Sequence, residues 1–386
     1  MSAITIHLKD SVVGTLEKQG GSYAFEYSEH WQEDGFELGP DVPIAQGRQY
    51  SAEAFGFIED ASPDRWGRTI LLRETRARMK KQKQAPRALT TLDYFLGVSD
   101  VSRMGALRGL SDGAFQAEGG SVPPLIHLEK LLRASNRYQS GDYDDETLQL
   151  LLAPGSSLGG ARPKACVRDA QGNLYVAKFP KNDDEYSVER WEFIALSLAR
   201  RAGCKVAEAR LEDIDGQLVL LSKRFDRDGE TRIHFSSAMN LLGLRDGERS
   251  SYAEIADLMQ QIGGDPIELF RRMIVNIMIN NVDDHLRNHG FLRGKNSWEL
   301  SPAYDINPIS KFEKSPTLST AIVPDEFDAN VDIAIENHDF FNLTCAQATV
   351  ICAEVRDAVA TWPDVARKTG ATKREIEAVE SAFHIG

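Results

Sequence analysis

The hydrophobic rhythm of the chain changes several times, and each change predicts an element. Over residues 1–50 apolar positions alternate in ITIHL, in KDSVVGTLE and, after Gly20-Gly21, in GGSYAFEYS, so three successive strands are predicted. Helical spacing then appears in FGFIEDASPDRWGRTILLRETRARM, where Ser62 and Pro63 have the chemistry of an N-cap and a first-turn proline. LTTLDYFLGVSDVSRMGALRGL reads as a further helix and a turn that close this first unit.

Two amphipathic segments, LIHLEKLLRAS and DDETLQLLLAP, follow, and period two returns in KACVRD and LYVAKFP around a Gln-Gly-Asn turn. SVERWEFIALSLARRAG predicts a helix and QLVLLSKRFDR a strand with a polar end. Beyond it the pattern is mostly helical, in SSYAEIADLMQQIG and PIELFRRMIVNIMINNV. The second is apolar nearly all round (Phe270, Met273, Ile274, Ile277, Met278), as a central buried helix should be. HGFLR and SWELS alternate again and predict a hairpin. Between Leu110 and Pro124 the composition shifts to Gly, Ser, Asp and Pro, which marks the main boundary. The predicted organisation is a β-rich subdomain over 1–115, a small mixed lobe over 116–225 and a helical lobe over 226–386.

Charge and cysteine usage narrow the class. At 386 residues the chain can hold two or three cores, and its net charge is −13, from 58 acidic and 45 basic side chains. Such a surface repels nucleic acid over most of its area, so DNA is expected to be reached only through a local basic patch or a basic partner. One stretch breaks the trend: Arg73, Arg76, Arg78, Lys80, Lys81, Lys83 and Arg87 stand against Glu74 alone. It is either a docking surface for nucleic acid or an acidic partner, or a solvated helix end with its loop. Four scattered cysteines without a CxxC pair suit a reducing compartment. No signal-peptide pattern opens the chain and no run of 18 apolar residues occurs, so the expectation is a cytoplasmic protein with no membrane partner.

The chemistry concentrates where the apolar helix ends. INNVDDHLRNHGFLRGKNSWELSPAYDINP carries Asp283, Asn288 five residues later, and Asp305 after the predicted hairpin. In phosphotransferases of the kinase type the first Asp receives the proton of the substrate hydroxyl, while the Asn and the later Asp hold Mg²⁺ on the phosphates of ATP. Lys178 lies in an apolar strand and is followed by a Glu-bearing helix. A kinase needs such a lysine for the α- and β-phosphates and a helix glutamate to orient it. Glu189 and Glu192 are one turn apart, and Glu192 shares a small-residue face with Ala195 and Ala199. The structural alternative is a lysine snorkelling from an edge strand. SSLGGARPK supplies a Gly-containing loop with Arg162 and Lys164 beside it, a pattern that also serves plain strand turns. Backbone groups around Lys223 to Phe225 fall where a kinase hinge meets adenine. His285 is expected to brace the catalytic loop. A rival reading pairs His285 and His289, at i and i+4, with Asp283 or Asp284 around zinc, but the glutamate of HExxH is absent.

Together these residues resemble the HipA-type serine/threonine kinases, toxins of bacterial toxin–antitoxin modules. VGTLE, YAFEYS, FIEDASPDRWGR and MGALRG look like that family's N-terminal subdomain. SSLGGARPK looks like its phosphate loop, YVAKFP its lysine strand, SKRFDR its hinge, NNVDDHLRNHGFL its catalytic loop and LSPAYDINP its metal segment. The resemblance implies an α+β, two-lobed protein-kinase-like fold with a small mixed N-lobe, a helical C-lobe and a β-rich N-terminal subdomain. It implies Asp283 as catalytic base and Asn288 with Asp305 as Mg²⁺ ligands. It places Gly159, Gly160, Ala161, Arg162, Lys164 and Lys178 around the phosphates of ATP, Lys223, Arg224 and Phe225 near adenine, and His285 and Tyr304 on the nucleotide side. Ser157 falls at the family's autophosphorylated serine. The chain departs from the pattern at Lys223, where an acidic residue can occur, and at His289, where an aromatic is frequent.

The resemblance further implies an aminoacyl-tRNA synthetase or another translation factor as protein substrate, and a helix-turn-helix antitoxin that carries the complex to operator DNA. Two alternatives stay open on the residues themselves. One is a small-molecule phosphotransferase of the antibiotic-kinase type, which shares the Asp-x₄-Asn spacing, and the other is a kinase-like scaffold in a repressor complex.

Overall fold

A computed structural model describes residues 3–111, 113–115, 122–155 and 160–384. The chain divides into two compact units. Met1–Asp183 with Ile214–Ser236 form the first, and Asp184–Asp213 with Ser237–Gly386 form the second.

The first unit begins with the expected strands β1 (Ile4–Leu8), β2 (Ser11–Gln19) and β3 (Ser22–Tyr27). Helix α1 (Glu29–Asp34), strand β4 (Gln49–Ser51), helix α2 (Gly56–Asp60), helix α3 (Arg65–Lys81) and helix α4 (Thr91–Gly97) follow. Strands β5 (Leu107–Ser111) and β6 (Ala114–Phe115) complete an antiparallel sheet in the order β4-β3-β2-β1-β5-β6. Alternation puts Ile4, Ile6, Leu16 and Phe25 on one face, where they meet Phe55, Phe57 and Phe95 in a closed core. Each such side chain contributes about 1.5–3 kcal/mol by leaving water.

Two expectations change here. ALRGL, read as a turn, is strand β5 paired with β1, and Gly109 is required because a Cβ would stand 2.7 Å from the Phe95 ring. Helix α3 starts three residues after Ser62. Asp64 is its N-cap and accepts from the Arg65 N–H, while the Ser62 hydroxyl turns back to the Ile58 carbonyl.

Helices α5 (Leu128–Gln139) and α6 (Asp145–Gly155) lead to strands β7 (Lys164–Arg168) and β8 (Leu174–Lys178). Strand β10 (Gln217–Lys223) pairs antiparallel with β8, its partner Leu220 facing Lys178. Leu128, Leu131 and Leu132 of α5 cover this sheet on Val167, Tyr175, Ala177 and Val219. Trp66 and Ile70 of α3 pack with Ala134, Tyr138, Leu148 and Leu151 of α5 and α6. Arg73 lies over the Tyr138 and Tyr143 rings at 4.6 and 5.1 Å and donates to the Tyr143 hydroxyl.

At the end of β10 the chain buries an ion group. Asp226 accepts from Arg224, Arg227 and the Gly105 N–H. Burial alone would raise its carboxyl, but the two guanidiniums more than offset that and hold it below the ordinary range.

In the second unit are helix α7 (Val188–Arg201), strand β9 (Ala209–Ile214), helix α8 (Ala238–Leu241), helix α9 (Tyr252–Ile262) and helix α10 (Pro266–Met278). Helix α10 has Asp265 as N-cap and Pro266 in its first turn, and its residues from Leu269 to Met278 are buried apart from one partly exposed arginine. The strands Gly290–Arg293 and Trp298–Leu300 form the expected hairpin. No helix among the described residues is long and apolar enough to cross a membrane.

Candidate active site

Helix α10 ends at Met278 and the next residues leave it abruptly, because Asn280 takes a left-handed backbone (φ 49). Its side-chain amide donates to the Ile309 carbonyl, which ties the loop after α10 to the segment beyond Asp305. Three residues on, Asp283 points its carboxylate into solvent and Asp284 points inward.

Asp284 is buried, and among the described residues no cation forms an ion pair with it. It accepts from the Tyr252 hydroxyl at 2.6 Å and from the Ser319 and Thr320 N–H groups. Burial nevertheless pushes its carboxyl up to about 6. Its own carbonyl accepts from Thr320 Oγ1 and lies 3.0 Å from Nε2 of the buried His289. Burial lowers that imidazole to about 4.

A relay of amides connects this anchor to the later carboxylate. Asn276, inside α10, donates to the Tyr252 hydroxyl and accepts from Asn281. Asn281 accepts from the Asn307 N–H, and the Asn307 amide reaches Asp305 Oδ1 at 3.5 Å. Asp305 is half-buried and left-handed (φ 55). The Tyr304 hydroxyl donates to the Arg287 carbonyl. Asn288 Nδ2 donates to the Asp283 carbonyl at 3.0 Å, which turns its Oδ1 the other way. One loop therefore carries an exposed carboxylate, an amide oxygen and, through the relay, a second carboxylate. These are hard oxygen donors, and they suit a hard cation such as Mg²⁺.

His289, the second imidazole of the zinc alternative, is buried with Nε2 turned to the Asp284 carbonyl. His285 is partly buried, with Nδ1 lacking a hydrogen-bond partner. Among the described residues no group of three or more His, Cys, Asp and Glu side chains is placed to hold a metal.

In the first unit, Lys178 and Lys164 are direct cross-strand partners on β8 and β7, and both are buried. Gly160 has φ +83 and Ala161 and Arg162 follow it into β7. Ser157 and Gly159 lie outside the described residues. Arg224 is committed to Asp226, and its N–H donates to the Leu174 carbonyl. Lys223 and Tyr175 thus form a non-hydrogen-bonded pair, which directs the Lys223 backbone groups away from β8. Phe225 stands 6.4 Å from the Phe235 ring. In the second unit, Glu189 and Glu192 are both buried on α7 with Ala195 and Ala199.

Sequence reading missed Tyr252, Asn276, Asn307, Ser319 and Thr320. Asn276 was the available signal, a lone amide in an otherwise apolar helix that must find a buried partner.

Residues 4–90 match the family model of the HipA N-terminal domain, and residues 156–373 match that of the HipA-like C-terminal domain. The chain belongs to the HipA family. It is 22% identical over 92% of its length to the serine/threonine-protein kinase toxin HipA of Shewanella oneidensis, and covers 88% of that protein. It is 28% identical to a putative kinase of Haemophilus influenzae over 41% of its own length and 54% of the relative's. A chain in the solved complex of the Shewanella oneidensis MR-1 toxin–antitoxin system HipA, HipB and its operator DNA superposes with a TM-score of 0.72. That superposition has 19% identity and covers 98% of this chain and 94% of that one. The two share a fold, and the α+β, kinase-like architecture expected from the sequence is therefore the HipA fold. The HipA-family chain is an enzyme of the kinase class.

Proposed function

We propose that this HipA-family kinase transfers the γ-phosphate of Mg²⁺-bound ATP to a serine or threonine of a protein, and acts as the toxin of a HipBA-like pair. The observation that carries the reading is the loop after α10. It leaves Asp283 exposed while Asp284, held by neutral donors, fixes the backbone on either side. Asp283 accepts the proton of the attacking hydroxyl. Asn288 Oδ1 and Asp305 hold the metal, which neutralises charge on the phosphates. Lys178 and Lys164 take phosphate oxygens, Glu192 orients Lys178, and Lys223 with Phe225 borders adenine. His285 and Tyr304 complete the nucleotide side.

The protein substrate is an aminoacyl-tRNA synthetase or another translation factor, and the partner is a helix-turn-helix antitoxin through which the acidic chain reaches operator DNA. Ser157 is the site of autophosphorylation, where two added negative charges would repel the nucleotide's phosphates.

The test is incubation of wild type and Asp283→Asn with γ-labelled ATP and cell lysate, alongside induced expression. Wild type should label protein and itself at Ser157 and arrest growth, while the variant loses both by 100-fold or more, on the order expected for a missing general base. Label appearing in small molecules alone, or a variant that keeps transfer and toxicity, rejects the reading.

A further inference from the structure

The segment between α6 and β7, which carries the phosphate loop of the proposed function, has anchors on both sides. On one side α6 runs to Gly155 and is held against α3 by Leu148 and Leu151 on Trp66 and Ile70. On the other, Gly160 is gripped by the start of α3. The Gly160 N–H donates to Asp64 Oδ2 at 2.7 Å, and the Gly160 carbonyl accepts from the Trp66 N–H at 3.1 Å. The Trp66 indole N–H then donates to the Lys164 carbonyl at 2.9 Å, so the same side chain fixes the first residue of β7. Asp64 caps α3 with its other oxygen. Three contacts from one helical turn thus clamp the chain on both sides of Ala161–Pro163. The turn belongs to the stretch matched by the HipA N-terminal domain, and the clamped chain to the C-terminal domain.

We infer that Asp64 and Trp66 are positioning residues that set the nucleotide affinity of the loop, so that the N-terminal domain controls phosphate binding by the C-terminal one. The inference rests on the proposed phosphate-binding role of this loop. The physical reason is pre-organisation: a chain segment left free must be ordered when the ligand arrives, and the clamp fixes Gly160 to Lys164 beforehand. The clamping turn is itself packed into the core. Trp66 is seated edge-on to the Tyr138 ring at 5.2 Å, and Arg73 fastens the next turns of α3 to Tyr138 and Tyr143.

Asp64→Asn tests the effect. Asparagine is as good an N-cap as aspartate, so α3 is retained, but the carboxylate that receives the Gly160 N–H is lost. Trp66→Phe likewise keeps a ring in the core and removes only the indole donor. Two measurements are needed: Mg–ATP dissociation constants with the split of KM from kcat, and amide exchange over residues 160–165 without nucleotide. The clamp predicts a roughly ten-fold rise in KM and Kd in Asp64→Asn, with kcat within about three-fold, as expected for one charge-assisted hydrogen bond. It also predicts faster exchange over that segment alone. Ile70→Val, which loosens the same core without touching the clamp, should move neither. Unchanged affinity or unchanged exchange in Asp64→Asn overturns the inference. A wild type that binds no Mg–ATP rejects the phosphotransfer reading instead, and the exchange arm still decides whether the clamp exists.

Discussion

Two polar-rich segments, SKRFDR at the end of β10 and NNVDDHLRNH at the end of α10, look alike in sequence and solve burial in opposite ways. In the first, buried charges neutralise one another: Asp226 is fully enclosed and receives Arg224, Arg227 and the Gly105 N–H. In the second, the buried carboxylate of Asp284 forms no ion pair among the described residues and is met by the Tyr252 hydroxyl and two backbone N–H groups. Its neighbour Asp283 is left exposed. A compensated ion group fixes a backbone, and so does a neutral cage. Only the cage leaves an exposed carboxylate next door, with the solvated Lys314 amine at 3.9 Å. The difference separates a closed ion group from a loop that presents a carboxylate to solvent.

The comparison breaks most visibly at Asp226. Asp226→Ala strands two buried guanidiniums and an N–H, so stability should fall by about 3–5 kcal/mol in denaturant titration. A double replacement of Arg224 and Asp226 by apolar residues should be milder than Asp226→Ala alone, because no charge is then left unpaired. A mild Asp226→Ala would show that the segment is not held by charge compensation.

The sequence made the outline of both segments legible, and the physical reason is periodicity. The apolar run of α10 and the alternation in β7, β8 and β10 are local patterns, and they place Lys178 and Asp283 without knowledge of the tertiary structure. What was hidden depends on contacts between distant residues. Arg224 sits at an adenine-facing position by sequence order, yet its partner Asp226 turns it inward. Tyr252 and Asn276 are 24 residues apart and meet only when α9 packs on α10. The start of α3 was misplaced at Ser62 because Ser-Pro is a strong local signal. The deciding contacts are those of Asp64, which caps α3 and accepts from Gly160, 96 residues away. The functional assignments of Asn288 and Asp305 came from spacing and resemblance, and the relay Asn276–Asn281–Asn307 that leads to Asp305 was not visible in either.

The cage around Asp284 can be sharpened by acid. Its carboxyl is raised to about 6 by burial, so it contributes stability that is present below the ordinary carboxylate range and lost as pH rises through 6. His289 is lowered to about 4, so its contribution is present above 6.5 and lost as pH falls through 4. Between pH 6.5 and 4 the two trends oppose each other and the wild-type profile should be shallow. Asp284→Asn removes the gain and leaves the loss. Its stability should drop by about 2–3 kcal/mol more than that of wild type across the same window, read from denaturant midpoints at each pH. Parallel profiles would mean that the Asp284 carboxyl is not raised in the fold and that the cage holds it as an ordinary carboxylate.

The smallest effect belongs to the exposed side of the same loop. Lys314 Nζ approaches Asp283 Oδ1 at 3.9 Å, with both side chains more than half exposed, 55% and 61%. An ion pair so solvated contributes about 0–1 kcal/mol, and less as salt rises, because water already stabilises both charges. Lys314→Ala should therefore change stability by under about 0.5 kcal/mol, in contrast to every change made on the buried face. It should also leave the steepness of the acid profile untouched, since neither Asp284 nor His289 touches it. If Lys314→Ala were instead as costly as Asp226→Ala, Asp283 would be part of a structural ion pair like that in SKRFDR. The distinction between a compensated scaffold and an open working carboxylate would then fail at the residue on which it depends.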